Sequence, residues 1–324
     1  MPRIEVDVTV PESPGDIAAE KSLPAPRVSL WKPRAGEERL AYVLLAPAVL
    51  LLVALIAYPF LTSLYMSLTD RRIAMPGRFV GLRNFSELLL EDEIFQQTLW
   101  NSGLYVVGAV GLKTVTGLAA ALLLHGMTRG RPVFQALLML PWVVPASLSV
   151  LAWWWMFDPM SSVINWVLVN LGIISRPIRW LSDPFWARSA IVITNVWRGL
   201  PFFALCFLAG LVSIPRELYE AAESDGAGPM ASFWHITLPL LRPMLGIVIL
   251  YSVVMTIADF EIVFLLTRGG PRNSTHLLGT LAYHVGLSGG RLGEAAAISL
   301  FIFPVLAVVA YYMLRAVRHG AEVS

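Results

Sequence analysis

Glu220-Ala-Ala-Glu-Ser-Asp-Gly226-Ala-Gly-Pro-Met-Ala-Ser-Phe233-Trp-His-Ile236-Thr-Leu238-Pro239 is a polar island between two apolar runs, and its local chemistry spells helix, tight turn, helix. Just upstream, Pro215 sits where a first-turn proline costs no hydrogen bond, because its missing N–H would be orphaned anyway. Glu217 and Glu220 fall near the positive end of that helix, where carboxylates are favoured. Leu218, Ala221 and Ala222 share one face by their spacing of three and four. Gly226 supplies the permissive backbone at which a helix stops, and Pro229 opens the second helix. Leu238-Pro239 and Pro243 are expected to end that helix before the next apolar run. Residues 215–239 therefore predict a helical hairpin with a narrow, alanine-lined face that another protein can approach closely.

Outward from the hairpin the chain is apolar. Of its 324 residues 56% are hydrophobic and only 14% charged, against roughly 25% charged in soluble domains. That is too little polar surface to coat a soluble globule, so the fold class expected is an all-α integral membrane protein. Six apolar runs are each long enough to span a bilayer core: about Leu40–Leu68, Thr98–Leu124, Val133–Phe157, Ala187–Ile214, Met244–Thr267 and Ala295–Leu314. The hairpin falls between the fourth and fifth. In the third, Pro141 and Pro145 predict a kink or a local break. Trp153, Trp154, Trp155, Trp180 and Trp186 suit an interfacial belt. Residues 1–38 read as a flexible tail and 319–324 as a short one, on the same side of the membrane. No secretory signal is expected, because the first apolar run is too long to be a cleaved one.

The remaining classes are quickly bounded. A net charge of +2 with scattered arginines does not suit nucleic acid. The single cysteine, Cys206, excludes an internal disulfide framework, and the five histidines form no HxxxH or HxH pair, so no metal site is expected. Gly108-Ala-Val-Gly111-Leu-Lys113-Thr114 approaches a phosphate-binding loop, but leucine stands where the last glycine belongs.

The hairpin resembles the signature of the membrane subunits of binding-protein-dependent ABC importers. That family shows Glu-Ala-Ala, three residues, Gly and, about nine residues on, Ile-x-Leu-Pro. Here these are Glu220, Ala221, Ala222, Gly226, Ile236, Leu238 and Pro239, without a gap. The resemblance implies a cytoplasmic hairpin docked on an ATP-hydrolysing subunit through Glu217, Glu220, Ala221, Ala222, Asp225, Gly226 and Ala227. The competing reading is an amphipathic hairpin lying in the lipid headgroup layer. Such helices usually carry cations, whereas this one sets Arg216 against Glu217, Glu220, Glu223 and Asp225. An acidic face suits basic groups on a partner better than it suits anionic lipid.

Phe79-Val-Gly-Leu-Arg-Asn-Phe85, Ile164-Asn165-Trp, Trp180-Leu181 and Leu266-Thr267-Arg268-Gly269-Gly270-Pro271 resemble the same family, so the likeness covers about residues 40–318. It implies a second homologous permease, a dimer of ATP-binding subunits that carry ATP and Mg, an extracytoplasmic solute-binding protein, and surrounding membrane lipid. No cofactor is implied in this chain. The location implied is a bacterial or archaeal cytoplasmic membrane, crossed several times, with both termini cytoplasmic. Lysines and arginines alone do not orient it, dividing twelve and ten between the two sides.

Lys113, Arg198, Asp259 and Glu261 lie within expected spans, where a lipid-facing charge would cost about 2.5–3.5 kcal/mol or more. They are read either as interhelical glue or as the lining of a hydrophilic path. Asn195, Arg198, Gly199 and Phe202 recur at spacings of three, four and seven, near one face of the fourth span. An amide, a guanidinium, a bare backbone and an aromatic ring suit a sugar. This segment resembles the maltose-permease branch, which implies a solute path through these four with Asp259 and Glu261. Arg198 could instead meet an anionic group, as in a phosphorylated polyol such as glycerol phosphate, or pair with Asp259. A membrane-embedded enzyme using Asp259 and Glu261 is the remaining alternative, although i, i+2 positions on one helix point apart.

Overall fold

The computed structural model describes residues 35–321. Most of the expected N-terminal tail, and the last three residues of the C-terminal one, lie outside the described residues. Helices run from Ala35 and as far as Ala321. Among the described residues there are no strands beyond two isolated bridges. Five helices are long and apolar enough to cross a membrane: Tyr42–Ser67, Glu93–Gly126, Pro184–Val212, Pro229–Ile257 and Leu292–Met313. A sixth span results if the bent pair Arg131–Val143 and Ala146–Met156 counts as one.

The chain divides into two compact units, up to Tyr58 and from Pro59 onward. The first consists of the apolar helix Ala35–Leu52 and the π-helical turn Val53–Ala57. The second holds everything that follows here.

Helix starts in the second unit are written in short polar residues. Asp92 caps Glu93–Gly126 by accepting from the Phe95 N–H, and Asp183 caps Pro184–Val212 by accepting from Phe185 and Trp186. The expected break in the third span falls at Pro145. Val144 is extended, as a residue before proline is pushed to be, and the two helices meet at 93°. Pro141 stays inside its helix.

The helices Glu93–Gly126 and Pro184–Val212 form the central pair. They approach closely because Gly117 has no side chain where Phe203 lies. Ala121, Phe203, Phe207, Leu211, Leu241 and Val248 make the core at the hairpin end. Tyr105, Val150, Phe157, Ile191 and Ile262 make it toward the other end. On one side of the Glu93–Gly126 helix, Trp100, Leu104, Val107 and Val115 are exposed in a stripe, as lipid-facing residues of a span would be.

Three expectations need correction. The hairpin's second arm does not stop at Leu238-Pro239. Pro229–Ser232, a π-helical turn Phe233–Thr237 and Leu238–Ile257 form one continuous helix. Pro239 sits just past the widened turn inside this continuous helix, so its missing N–H leaves one rung of the ladder unmade. At the other end the fifth span stops at Ile257, not Thr267, and a short helix Glu261–Leu266 follows a break at Ala258–Phe260. Asp259 therefore lies in the break and Glu261 opens the short helix, so the two do not share a helix. Lastly, Trp180 is no belt residue: it is buried, donating its indole N–H to Asn165 Oδ1 at 3.1 Å. Asn165 also exchanges both of its amide groups with the backbone of Ile178, clasping the loop shut.

Candidate functional site

The fourth span passes the break in the fifth, and the six expected path residues, Asn195, Arg198, Gly199, Phe202, Asp259 and Glu261, all line one cavity of about 460 Å³ there. Asp259 is its anchor. Its Oδ2 accepts from Tyr105 Oη at 2.6 Å and Asn195 Nδ2 at 2.9 Å, and its Oδ1 accepts from the Ile262 N–H at 3.3 Å. One carboxylate thus ties the second span, the fourth span and the start of the short helix, replacing backbone bonds that the break removes.

Arg198 pairs with Glu261 (3.7 Å) and not with Asp259, as the sequence reading had allowed. Ser147, at the bend of the third span, donates to the other oxygen of Glu261 at 2.5 Å. Lys113 is 4% exposed and donates to Thr256 Oγ1 at 2.9 Å, with its ammonium 5.6 Å from the Phe203 ring centre. Two cations and two acids therefore balance around the cavity, Lys113 buried and Arg198 and Glu261 partly exposed.

Gly199 serves differently from the bare backbone expected. A methyl there would come within 2.5 Å of the Lys113 stem, so the missing side chain is what lets Lys113 cross. Phe202 stands between Tyr251 and Trp142, ring centres 5.0 and 6.1 Å away, and the three form an aromatic wall. Two buried oxygens on the lining have no partner, Asn195 Oδ1 and Ser252 Oγ. The cavity thus offers an aromatic face and, in Arg198 and Glu261, partly exposed hydrogen-bonding groups. Sequence reading missed Tyr105, Thr256, Ser252, Tyr251, Trp142 and Ser147. None carries a local signal, because each acts through a partner distant in the chain.

A membrane-embedded enzyme built on Asp259 and Glu261 finds no support. Asp259 accepts from three donors and Glu261 is held by Arg198 and Ser147, so neither is a free base.

The hairpin consists of a first arm, Arg216–Ser224, a turn, and the second arm from Pro229. Gly226 takes φ +82°, where a side chain would be strained, and the Ala227 N–H returns to the Ala222 carbonyl at 2.8 Å. Glu217, Glu220, Ala221, Asp225 and Gly226 are exposed, and Ala222 and Ala227 are half-buried. Neither arm has a buried residue before the π-helical turn. In the loop after the third span, N–H donors from Met160 and Ser161, with the Ser161 hydroxyl, hold the Asp158 carboxyl below its usual range.

Residues 113–320 match the family described as the binding-protein-dependent transport system inner membrane component. The chain is 35% identical over 277 residues to the trehalose/maltose transport system permease protein MalF of Thermococcus litoralis, covering 85% of this chain and 93% of that protein. It is 35% identical over 301 residues to the sulfoquinovosyl glycerol transport system permease protein SmoG of Agrobacterium fabrum, covering 92% and 96%. It is 33% identical over 284 residues to the lactose transport system permease protein LacF of Rhizobium radiobacter, covering 86% and 93%. A bacterial ABC transporter for import of the acidic polysaccharide alginate shares the fold, with a TM-score of 0.73 at 22% identity over 89% of this chain and 97% of that one. A chain with this match and these relatives belongs to the family of inner membrane components of binding-protein-dependent transport systems, the permease subunits of ABC importers.

Proposed function

We propose that this chain forms half of a translocation path for a sugar or sugar-like solute and is driven through its hairpin by a separate ATPase. The observation that carries the solute path is the convergence of Asn195, Arg198, Phe202, Asp259 and Glu261 on one cavity with a ready aromatic wall. Hydroxyls of a pyranose would bond the partly exposed Arg198 and Glu261 side chains, and its apolar face would lie on Phe202. Relatives named for trehalose/maltose and lactose point to the same solute class, and a phosphorylated polyol is not favoured. The cavity's charges argue alike, since Glu261 already occupies Arg198.

The exposed acidic hairpin supports docking on an ATP-binding subunit dimer that carries ATP and Mg. With a second permease completing the path and a binding protein delivering solute outside, closure of the ATPase pair would re-tilt the spans and open the cavity alternately. In this reading the hairpin and both termini face the cytoplasm.

The solute path is tested with Arg198→Ala and Phe202→Ala in the assembled complex, following uptake of radiolabelled maltose, trehalose and lactose. The concentration for half-maximal uptake, or the choice among the three, should change while the ATPase still co-purifies. Unchanged uptake in both variants would remove these residues from the path.

A further inference from the structure

Among the described residues the two arms of the hairpin are joined by one side-chain hydrogen bond: the Tyr219 hydroxyl lies 2.9 Å from Thr237 Oγ1. Thr237 is 5% exposed and closes the π-helical turn Phe233–Thr237. Its own hydroxyl is directed to the Ser232 carbonyl at 3.4 Å, which leaves Tyr219 to donate and Thr237 to accept.

The bond ends on a helix with missing rungs. In the widened turn the Leu238 N–H reaches back five residues to the Phe233 carbonyl. Pro239 and Pro243 then lack the N–H groups that would continue the ladder. Helices bend where rungs are absent, so this joint is where the fifth span gives most easily. Beside it lies a cavity of about 940 Å³, bordered by Tyr219, Phe233 and Thr237 on one side and His125 and Arg131 on the other, so the arm has room to swing. The first arm also joins the span through the turn at Gly226, which is exposed.

We infer that the Tyr219–Thr237 bond is the strut through which displacement of the hairpin's first arm reaches the fifth span. Tyr219 is thereby a positioning residue for transport. The inference rests on the reading that the hairpin docks the ATPase. A docked arm pulled by its partner would drag Thr237 with it and turn the helix at the π-helical joint. The far end of that helix is the break at Ala258–Phe260, which borders the cavity. Without the strut the arm would move and the span would lag.

The experiment uses the whole complex in proteoliposomes, with the second permease, ATPase and binding protein. ATP hydrolysed and labelled disaccharide accumulated are measured in the same sample, using whichever of maltose, trehalose or lactose the unmodified complex takes up. Tyr219→Phe should retain the ATPase and hydrolyse ATP within about twofold of normal, yet move at least about fivefold less solute per ATP, the low end of coupling between two sites. Thr237→Val should match it, and Thr237→Ser, which keeps the hydroxyl, should restore the normal ratio. An unchanged ratio in both Tyr219→Phe and Thr237→Val overturns the strut, and so does loss of assembly in both, which would make the bond merely structural. Failure of docking itself reads differently: Gly226→Val would then keep the ATPase bound and active, and the strut would fall with it.

Discussion

Replacing Tyr105 by phenylalanine isolates the interaction that holds the cavity together. The ring is 2% exposed and its hydroxyl is 2.6 Å from Asp259 Oδ2, so the substitution keeps the packing and removes one hydrogen bond to a carboxylate. Bonds to charged groups contribute about 1.5–3 kcal/mol. Asp259 keeps Asn195 and the Ile262 N–H as donors, which favours the lower half, about 2 kcal/mol. In an Asp259→Asn background the acceptor is neutral, and the same change should cost roughly 1 kcal/mol. The cycle of four proteins should therefore show a coupling of about 1 kcal/mol between the two positions. Denaturant unfolding of the detergent-purified chain, followed by tryptophan fluorescence at a fixed lipid content, measures it. A cost for Tyr105→Phe below about 0.5 kcal/mol, equal in both backgrounds, would refute Asp259 as the anchor of the break.

Three further outcomes follow from particular residues. Gly226→Val forces a β-branched residue to φ +82°, a strain of about 2 kcal/mol confined to the turn, and should leave the protein in the membrane while co-purification of the ATPase is lost. Asn165→Ala removes three hydrogen bonds at a residue 4% exposed, and should destabilise the chain by roughly 2–4 kcal/mol and speed protease cleavage between residues 158 and 183. Burial, helped by the neighbouring His284, pushes the His276 imidazole down from 6.5 to about 4. The unfolded chain therefore takes a proton near pH 6.5 that the folded one refuses until about pH 4. The melting temperature should fall as pH is lowered through that window, and His276→Gln should flatten the fall; an identical slope in the variant would count against it.

The membrane class was legible from composition alone, and the hairpin from its turn chemistry: Pro215, Gly226 and Pro229 stand at cap and turn positions where the structure uses them. That the four fourth-span residues share a face was legible because helical spacing is a local property. What stayed hidden was set by distant partners. A run of apolar residues from Met244 to Thr267 does not say that its helix stops at Ile257, because the stop is stabilised by Asp259 accepting from Tyr105, 154 residues away. The choice of Glu261 over Asp259 as the partner of Arg198 has the same origin. Pro239 was read as an end by a local rule, and a π-helical turn absorbed it instead. Trp180 looked like an interfacial residue until Asn165 supplied an internal acceptor for its N–H.

The most direct test of the account is a contact. With Cys206 replaced by serine, a cysteine placed at Ala221, which is exposed on the hairpin's first arm, carries a short photo-cross-linker in the assembled, transporting complex. The account predicts an adduct with the ATP-binding subunit, and none from a cysteine at Met160 on the far loop, which is 98% exposed. A complex that imports its sugar while Ala221 labels only lipid, or the binding protein, would contradict it.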